Sequence, residues 1–188
     1  MKPITKYGGI LAGIVLIAFG IGSTFMGVTG RSEVRDSLRA EQIVGTPDMN
    51  KSIANKPVDT GAKAKLFAEG MRKHALAATD GQVYSQMAHY LTAAGKPTDD
   101  KAAAAIDPKS GKPVENGARS VWVTETALTT ALNTSYFAER VSTFAMIMGA
   151  AMLLIGIGFL VLVVRLPLET SAAKTRRHSF RHHAIPAA

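Results

Sequence analysis

The sequence predicts a mainly helical protein, a transmembrane helical hairpin with an extracytoplasmic helical segment inserted between its two spans. Three observations carry that prediction. Two runs of 24 residues, one between Lys6 and Arg31 and one between Arg140 and Arg165, contain no Lys, Arg, Asp, Glu or His. At about 1.5 Å per helical residue each run reaches about 36 Å, enough to cross a hydrocarbon core of about 30 Å. The basic residues crowd into the short flanks, which carry +2 over residues 1–6 and +4 over 165–188, against +2 over the whole of 31–140. The intervening 110 residues hold only 25 Val, Ile, Leu, Met, Phe, Tyr or Trp, a thin supply for an independent core.

The resulting organisation is an N-terminal tail 1–6, a first span 7–30, an outer segment 31–140, a second span 141–164 and a basic tail 165–188. The first span reads GGILAGIVLIAFGIGSTFMGVT. Lys2 and Lys6 resemble the basic start of a secretory signal, but a signal's apolar core covers only about 7–15 residues and ends in an A-x-A-like site. Neither property fits, so the span is expected to act as an uncleaved signal anchor. The second span, VSTFAMIMGAAMLLIGIGFLVLVV, is closed by Arg165 and then Pro167. Because short flanks set orientation, the charge distribution predicts a cell-membrane protein with both termini cytoplasmic and residues 31–140 extracytoplasmic. The pI near 9.9 is then a topology signal. It is not read as nucleic-acid binding, since the basic residues adjoin a span and lack interleaved aromatics.

Small residues recur along both spans. Gly13, Gly20 and Gly27 repeat every seven residues, with Gly9 four before Gly13, and Ser142, Gly149 and Gly156 repeat at the same interval. In lipid, helices associate largely through close backbone approach over small side chains. These seven residues are therefore the expected helix-packing face, either within one chain or between copies. Neither span carries an ionisable residue other than Tyr7 at its edge, which argues against a proton relay or ion path within one chain.

In the outer segment, Arg31 to Val44 lacks Gly and Pro, so the first helix is expected to continue to a stop at Gly45-Thr46-Pro47-Asp48. Asp59 or Thr60 is placed to cap a helix running through Lys63, Leu66, Phe67, Met71 and Ala78 to the turn Asp80-Gly81. A short apolar element is expected from Val83 to Leu91, and a further capped helical piece from Thr98-Asp99-Asp100 over AAAAI. Asp107 to Pro113 reads as an exposed loop. Residues 118–148 again lack Gly and Pro, and Val121, Leu128, Leu132 and Tyr136 form a stripe leading into the second span. An antiparallel hairpin would bring Glu139 near Arg31 or Arg35.

The residues offer little for catalysis. With no Cys there is no disulfide framework and no thiolate metal site. Lys96 and Lys112 follow glycines but precede prolines, so neither completes a phosphate-binding loop. His74, His89 and Glu69 match no H-E-x-x-H spacing. The expectation is a non-enzyme with no catalytic, cofactor or metal residues and no cofactor. Lys174, Arg176, Arg177 and Arg181 form a basic juxtamembrane stretch suited to anionic lipid. Trp122 lies too far before the second span for an interfacial belt and is either core or a partner contact.

Three stretches, IVGTPDM at 43–49, NKPVDTGAKAKLFAEGMRKHAL at 55–76 and VWVTETALTTALNTSYFAERV at 121–141, resemble a group of uncharacterised actinobacterial two-span membrane proteins. Members often carry the label of an aromatic ring-opening dioxygenase subunit, which would imply non-haem iron. Such a site takes two His and a carboxylate with open positions, whereas His74 and His89 have no evident third ligand. The resemblance therefore implies membrane class and lineage, not mechanism. The leading expectation is an accessory or scaffold subunit whose partners are the bilayer and a homo-oligomer or larger membrane complex, without nucleic acid. The alternative is an extracytoplasmic ligand-sensing module working with a separate output protein, and the distant third is the dioxygenase subunit.

Overall fold

A computed structural model describes the backbone over residues 3–181 and the side chains over residues 6–165. It is mainly helical. The elements are α1 (Pro3–Ala40), α2 (Gly61–Ala78), a one-turn 3-10 helix (Tyr84–Gln86), β1 (Tyr90–Leu91), β2 (Pro97–Thr98) and α3 (Gly117–Arg181). Helical backbone in α3 continues past Pro167, where the sequence predicts the span to close; the proline forgoes one backbone donor without ending the helix. The chain divides into two compact units, Met1–Gly30 with Val141–Ala188, and Arg31–Arg140.

The first unit contains the apolar parts of α1 and α3, both long and apolar enough to cross a membrane. Their small residues meet in antiparallel register. A Cβ placed on Gly20 would stand 2.8 Å from the carbonyl oxygen of Gly149, one on Gly156 would stand 2.8 Å from that of Gly13, and one on Gly27 would stand 2.6 Å from that of Ser142. These are contacts with backbone, which cannot rotate away. Gly9 closes the row against Val163, and Gly30 faces the Ser142 hydroxyl. Gly8, Gly22 and Gly158 have open space instead. Many large apolar side chains point outward: Leu11, Phe19, Phe25 and Met26 of α1, and Phe144, Ile147, Leu154 and Leu162 of α3, are each more than half exposed.

The second unit is built around Leu38, Met49, Ile53, Val58, Ala64, Phe67, Ala68 and Leu132. Helical structure in α1 stops at Ala40, short of the predicted Gly45. Gln42 takes the left-handed conformation (φ 51°), its N–H bonds the Arg39 carbonyl at 3.1 Å, and Ile43 already accepts from Val58. Gly45 serves close approach instead of capping, since a Cβ there would collide with the Ile53 carbonyl. Thr60 is the N-cap of α2, its hydroxyl accepting from the Lys63 N–H, and the helix ends at Thr79, followed by Asp80 and Gly81 with positive φ as the sequence suggests.

The alanine run departs from expectation. No helix forms over 98–106; Asp100 caps a tight turn through Ala102 at 2.8 Å, and Ala105 joins a backbone ladder, donating to Leu91 and accepting from Val114. So short a helix would not recover its nucleation cost without an apolar face to bury. Two-residue strands β1 and β2 pair antiparallel, Tyr90 with Thr98 and Leu91 with Pro97. Asp107 receives the Lys109 N–H at 2.7 Å and holds the predicted 107–113 loop as a closed turn.

Candidate functional site

The buried side of α3 within the second unit is Trp122, Glu125, Leu132 and Glu139. Val121, predicted on that stripe, is 46 % exposed, because the larger Trp122 one position on takes the core. Two carboxylates thus sit fourteen residues apart on an otherwise apolar face, and the structure treats them very differently.

Glu139 is fully engaged. One oxygen, Oε1, accepts from Arg31 Nε at 3.1 Å and Arg35 Nε at 3.0 Å. The other accepts the backbone N–H of Gly61 at 2.6 Å. The pairing predicted for an antiparallel hairpin is therefore present with both arginines, and it extends to a third element. Gly61 opens α2, where the helix leaves its first N–H groups unpaired and its dipole favours negative charge. A side chain at 61 would strike the Glu139 carboxylate and the Tyr136 backbone, so glycine is what admits this contact. Burial pushes the Glu139 carboxyl upward, but the bonds from Gly61, Arg35 and Arg31 outweigh it and hold the group below its ordinary range. This clamp ties α1, α2 and α3 together within the unit.

Glu125 is buried almost as deeply, its side chain 3 % exposed, but it is poorly satisfied. Arg72 Nη1 approaches Oε2 at 3.8 Å, and Thr126 donates to the same oxygen at 3.4 Å. Oε1 accepts no hydrogen bond. Arg72 lies over the Trp122 ring, 4.7 Å from its centroid, a stacking position that draws its charge toward the ring face. A mostly apolar cleft of about 470 Å³ opens between α2 and α3 here, walled by Met71, Ala75, Ala78 and Val121 with Thr124 and Glu125.

The other polar groups are committed elsewhere. His74 Nε2 pairs with Asp48 at 2.5 Å and His89 Nδ1 with Asp99 at 2.6 Å, so the two histidines belong to separate ion pairs. Hydrogen bonds, first from Thr46 and then from His74, lower the Asp48 carboxyl; those from the His89 side chain and backbone lower Asp99. Among the described residues no three His, Asp or Glu converge as metal ligands. A second cleft of about 470 Å³ borders Tyr84, His89 and Arg119, but Arg119 stacks on Tyr84 at 3.9 Å and donates to the Met87 carbonyl at 2.6 Å, which occupies its guanidinium.

Of the residues singled out from sequence, Gly9, Gly13, Gly20, Gly27, Ser142, Gly149 and Gly156 are brought together along one seam of the first unit. In this structure the seam joins two segments of the same chain. Trp122 is 6 % exposed and packed in the core with Ala75 and Met87. The side chains of Lys174, Arg176, Arg177 and Arg181 lie outside the described residues. Sequence reasoning missed Glu125 and Arg72. The available signal was a carboxylate three residues after the lone Trp and seven before Leu132, in phase with a buried stripe. No family model, curated protein or solved structure matches the chain.

Proposed function

We propose that the chain is a non-enzymatic integral membrane protein, an accessory or scaffold subunit held by a two-helix hairpin, with residues 31–140 outside the membrane and both termini in the cytoplasm. The observation that carries this is the inverted packing of the first unit. Its contact surface sets glycines of each helix against the backbone and against Ile17, Met146, Leu153, Leu160 and Val163, while Phe, Leu, Ile, Met and Val side chains cover its outer surface. In water that arrangement would expose the apolar surface that folding normally removes. In lipid it is the expected one, because chain association there depends on close packing over small residues. The basic flanks support the orientation.

The seam is filled from within the chain, so association with other chains falls to the lipid-facing side chains or to the outer unit. Purification of the intact protein in mild detergent, with mass determination and identification of co-purifying chains, tests the reading. A stoichiometric heterologous partner or a defined homo-oligomer is expected; a strictly monomeric protein with no retained partner contradicts it. The cleft beside Glu125 favours a second reading, an extracytoplasmic sensing module coupled to a separate output protein.

A further inference from the structure

We propose that the cleft between α2 and α3 of the outer unit binds a small organic cation, an ammonium group carried on an apolar body, with the Glu125 carboxylate as the acceptor of its N–H. The proposal goes beyond the anchoring role, and is independent of whether the chain spans a membrane.

An ionised carboxylate is an acceptor-only group with room for about four hydrogen bonds across its two oxygens. At Glu125 both nearby donors, Arg72 at 3.8 Å and Thr126 at 3.4 Å, address Oε2, and Oε1 has none. Such a group is costly to bury, and a partner that donates to it recovers that cost on binding. Every other buried carboxylate or amide side chain of the outer unit is satisfied: Glu139 by three donors, and Asn116 by donating to the Ala88 carbonyl and accepting from Ala118. Glu125 is therefore singular among the described residues, and it is the one that borders the apolar cleft.

The walls define the rest of the ligand. Met71, Ala75, Ala78 and Val121 present methyl and thioether surface and favour an apolar body, while His74 and Ser120 complete the lining. Thr124 offers little competition as a donor, because its hydroxyl donates to the Ser120 carbonyl at 3.0 Å. Anions are disfavoured: Glu125 would repel them, Arg72 is stacked on Trp122, and His74, which also lines the cleft, is paired with Asp48. A neutral apolar molecule fits the walls but leaves Oε1 unpaired. A neutral hydroxyl on such a body can also donate to the carboxylate, but a donor-bearing cation makes the stronger, charge-assisted bond. The cleft volume of about 470 Å³ lies within the about 300–1,000 Å³ typical of small-molecule sites.

The chain reports on this site itself. Its single Trp, Trp122, is three residues from Glu125 on α3 and in contact with Arg72. The test is a fluorescence titration of the full-length protein in lipid nanodiscs with cyclohexylammonium, cyclohexanol and cyclohexanecarboxylate as matched probes. The expected result is a saturable response to cyclohexylammonium, at least tenfold weaker for cyclohexanol and absent for the carboxylate. Glu125→Gln is expected to weaken cyclohexylammonium at least tenfold while retaining the helical circular dichroism of the parent. Should that variant fail to fold, Ala78→Phe, at an exposed wall position, fills the cleft without touching the carboxylate and is expected to abolish the response. No saturable response, equal binding of cyclohexanol, or undiminished binding in a folded Glu125→Gln or Ala78→Phe protein overturns the proposal. A dimer that Ala78→Arg dissociates, with no cation response, assigns the groove to a second copy and also overturns it.

Discussion

Replacing Gly20 by Val tests the seam directly, with Gly22→Val as its matched control two residues away. At position 20 the first added carbon lies 2.8 Å from both the Gly149 oxygen and the Leu153 nitrogen, about 0.6 Å short of the 3.4 Å at which ordinary contact begins. Both obstacles are backbone, so only separation of the helices relieves them. At position 22 nothing lies within 4 Å. Overpacking of this kind costs about 1–3 kcal/mol, which corresponds to about a 5–150-fold shift between closed and separated helices. The chain lacks Cys, so cysteines introduced at the outward-facing Phe25 and Phe144, 70 % and 63 % exposed, can carry spin labels without background. Pulsed-EPR distances in nanodiscs are expected to lengthen or broaden in Gly20→Val, as the axes move toward the about 8–10 Å of helix pairs bearing side chains. Gly22→Val is expected to leave the distribution unchanged. Equal behaviour of the two variants would refute the seam as the packing surface.

Three further outcomes follow from the outer unit. Glu139→Ala strands two arginines and the Gly61 N–H, and with arginines that are about a third to two-fifths exposed the loss should sit near about 3 kcal/mol, the lower end for a broken buried pair, read from Trp122 fluorescence during chemical unfolding. The Glu139 carboxyl is held below its ordinary 4.5, so its stabilisation is fully present above pH 4.5 and is lost as pH falls through the lowered folded value. Stability measured against pH should therefore decline on the acid side. Glu139→Gln should be less stable at neutral pH and show a shallower acid decline, reduced but not abolished, since Asp59, paired with Lys63, is also lowered. Ile53→Ala, at a fully buried position, should cost about 2–5 kcal/mol by the same unfolding assay.

What the sequence made legible is what periodicity and charge encode. The two apolar runs, the sevenfold small-residue spacing, the Thr60 cap and the Glu139 pairing with Arg31 and Arg35 all follow from spacing along a helix. The failures have a common cause in contacts that come from elsewhere in the chain. Gly45 looks like a helix cap, but its lack of a side chain is used by the Ile53 carbonyl, eight residues on. The alanines at 102–105 have helix propensity, yet Ala105 is taken by Leu91 and Val114, partners that no local pattern announces. Val121 and Trp122 compete for the same face, and propensity does not say which side chain the core accepts. Glu125 was the hardest to see: a Glu in an exposed-looking helix reads as solvated until the helix phase is fixed by Trp122 and Leu132 on either side.

The hairpin reading is tested most directly by the sidedness of the outer segment. Single cysteines at Ser110, in the 107–113 turn, and at Ser171, beyond the second span, can be challenged in intact expressing cells with a membrane-impermeant maleimide. The account predicts labelling at 110 in intact cells, labelling at 171 only after permeabilisation, and both proteins in the membrane fraction resistant to alkaline extraction. Labelling at both positions in intact cells, protection of 110, or release of the chain into the soluble fraction would contradict it.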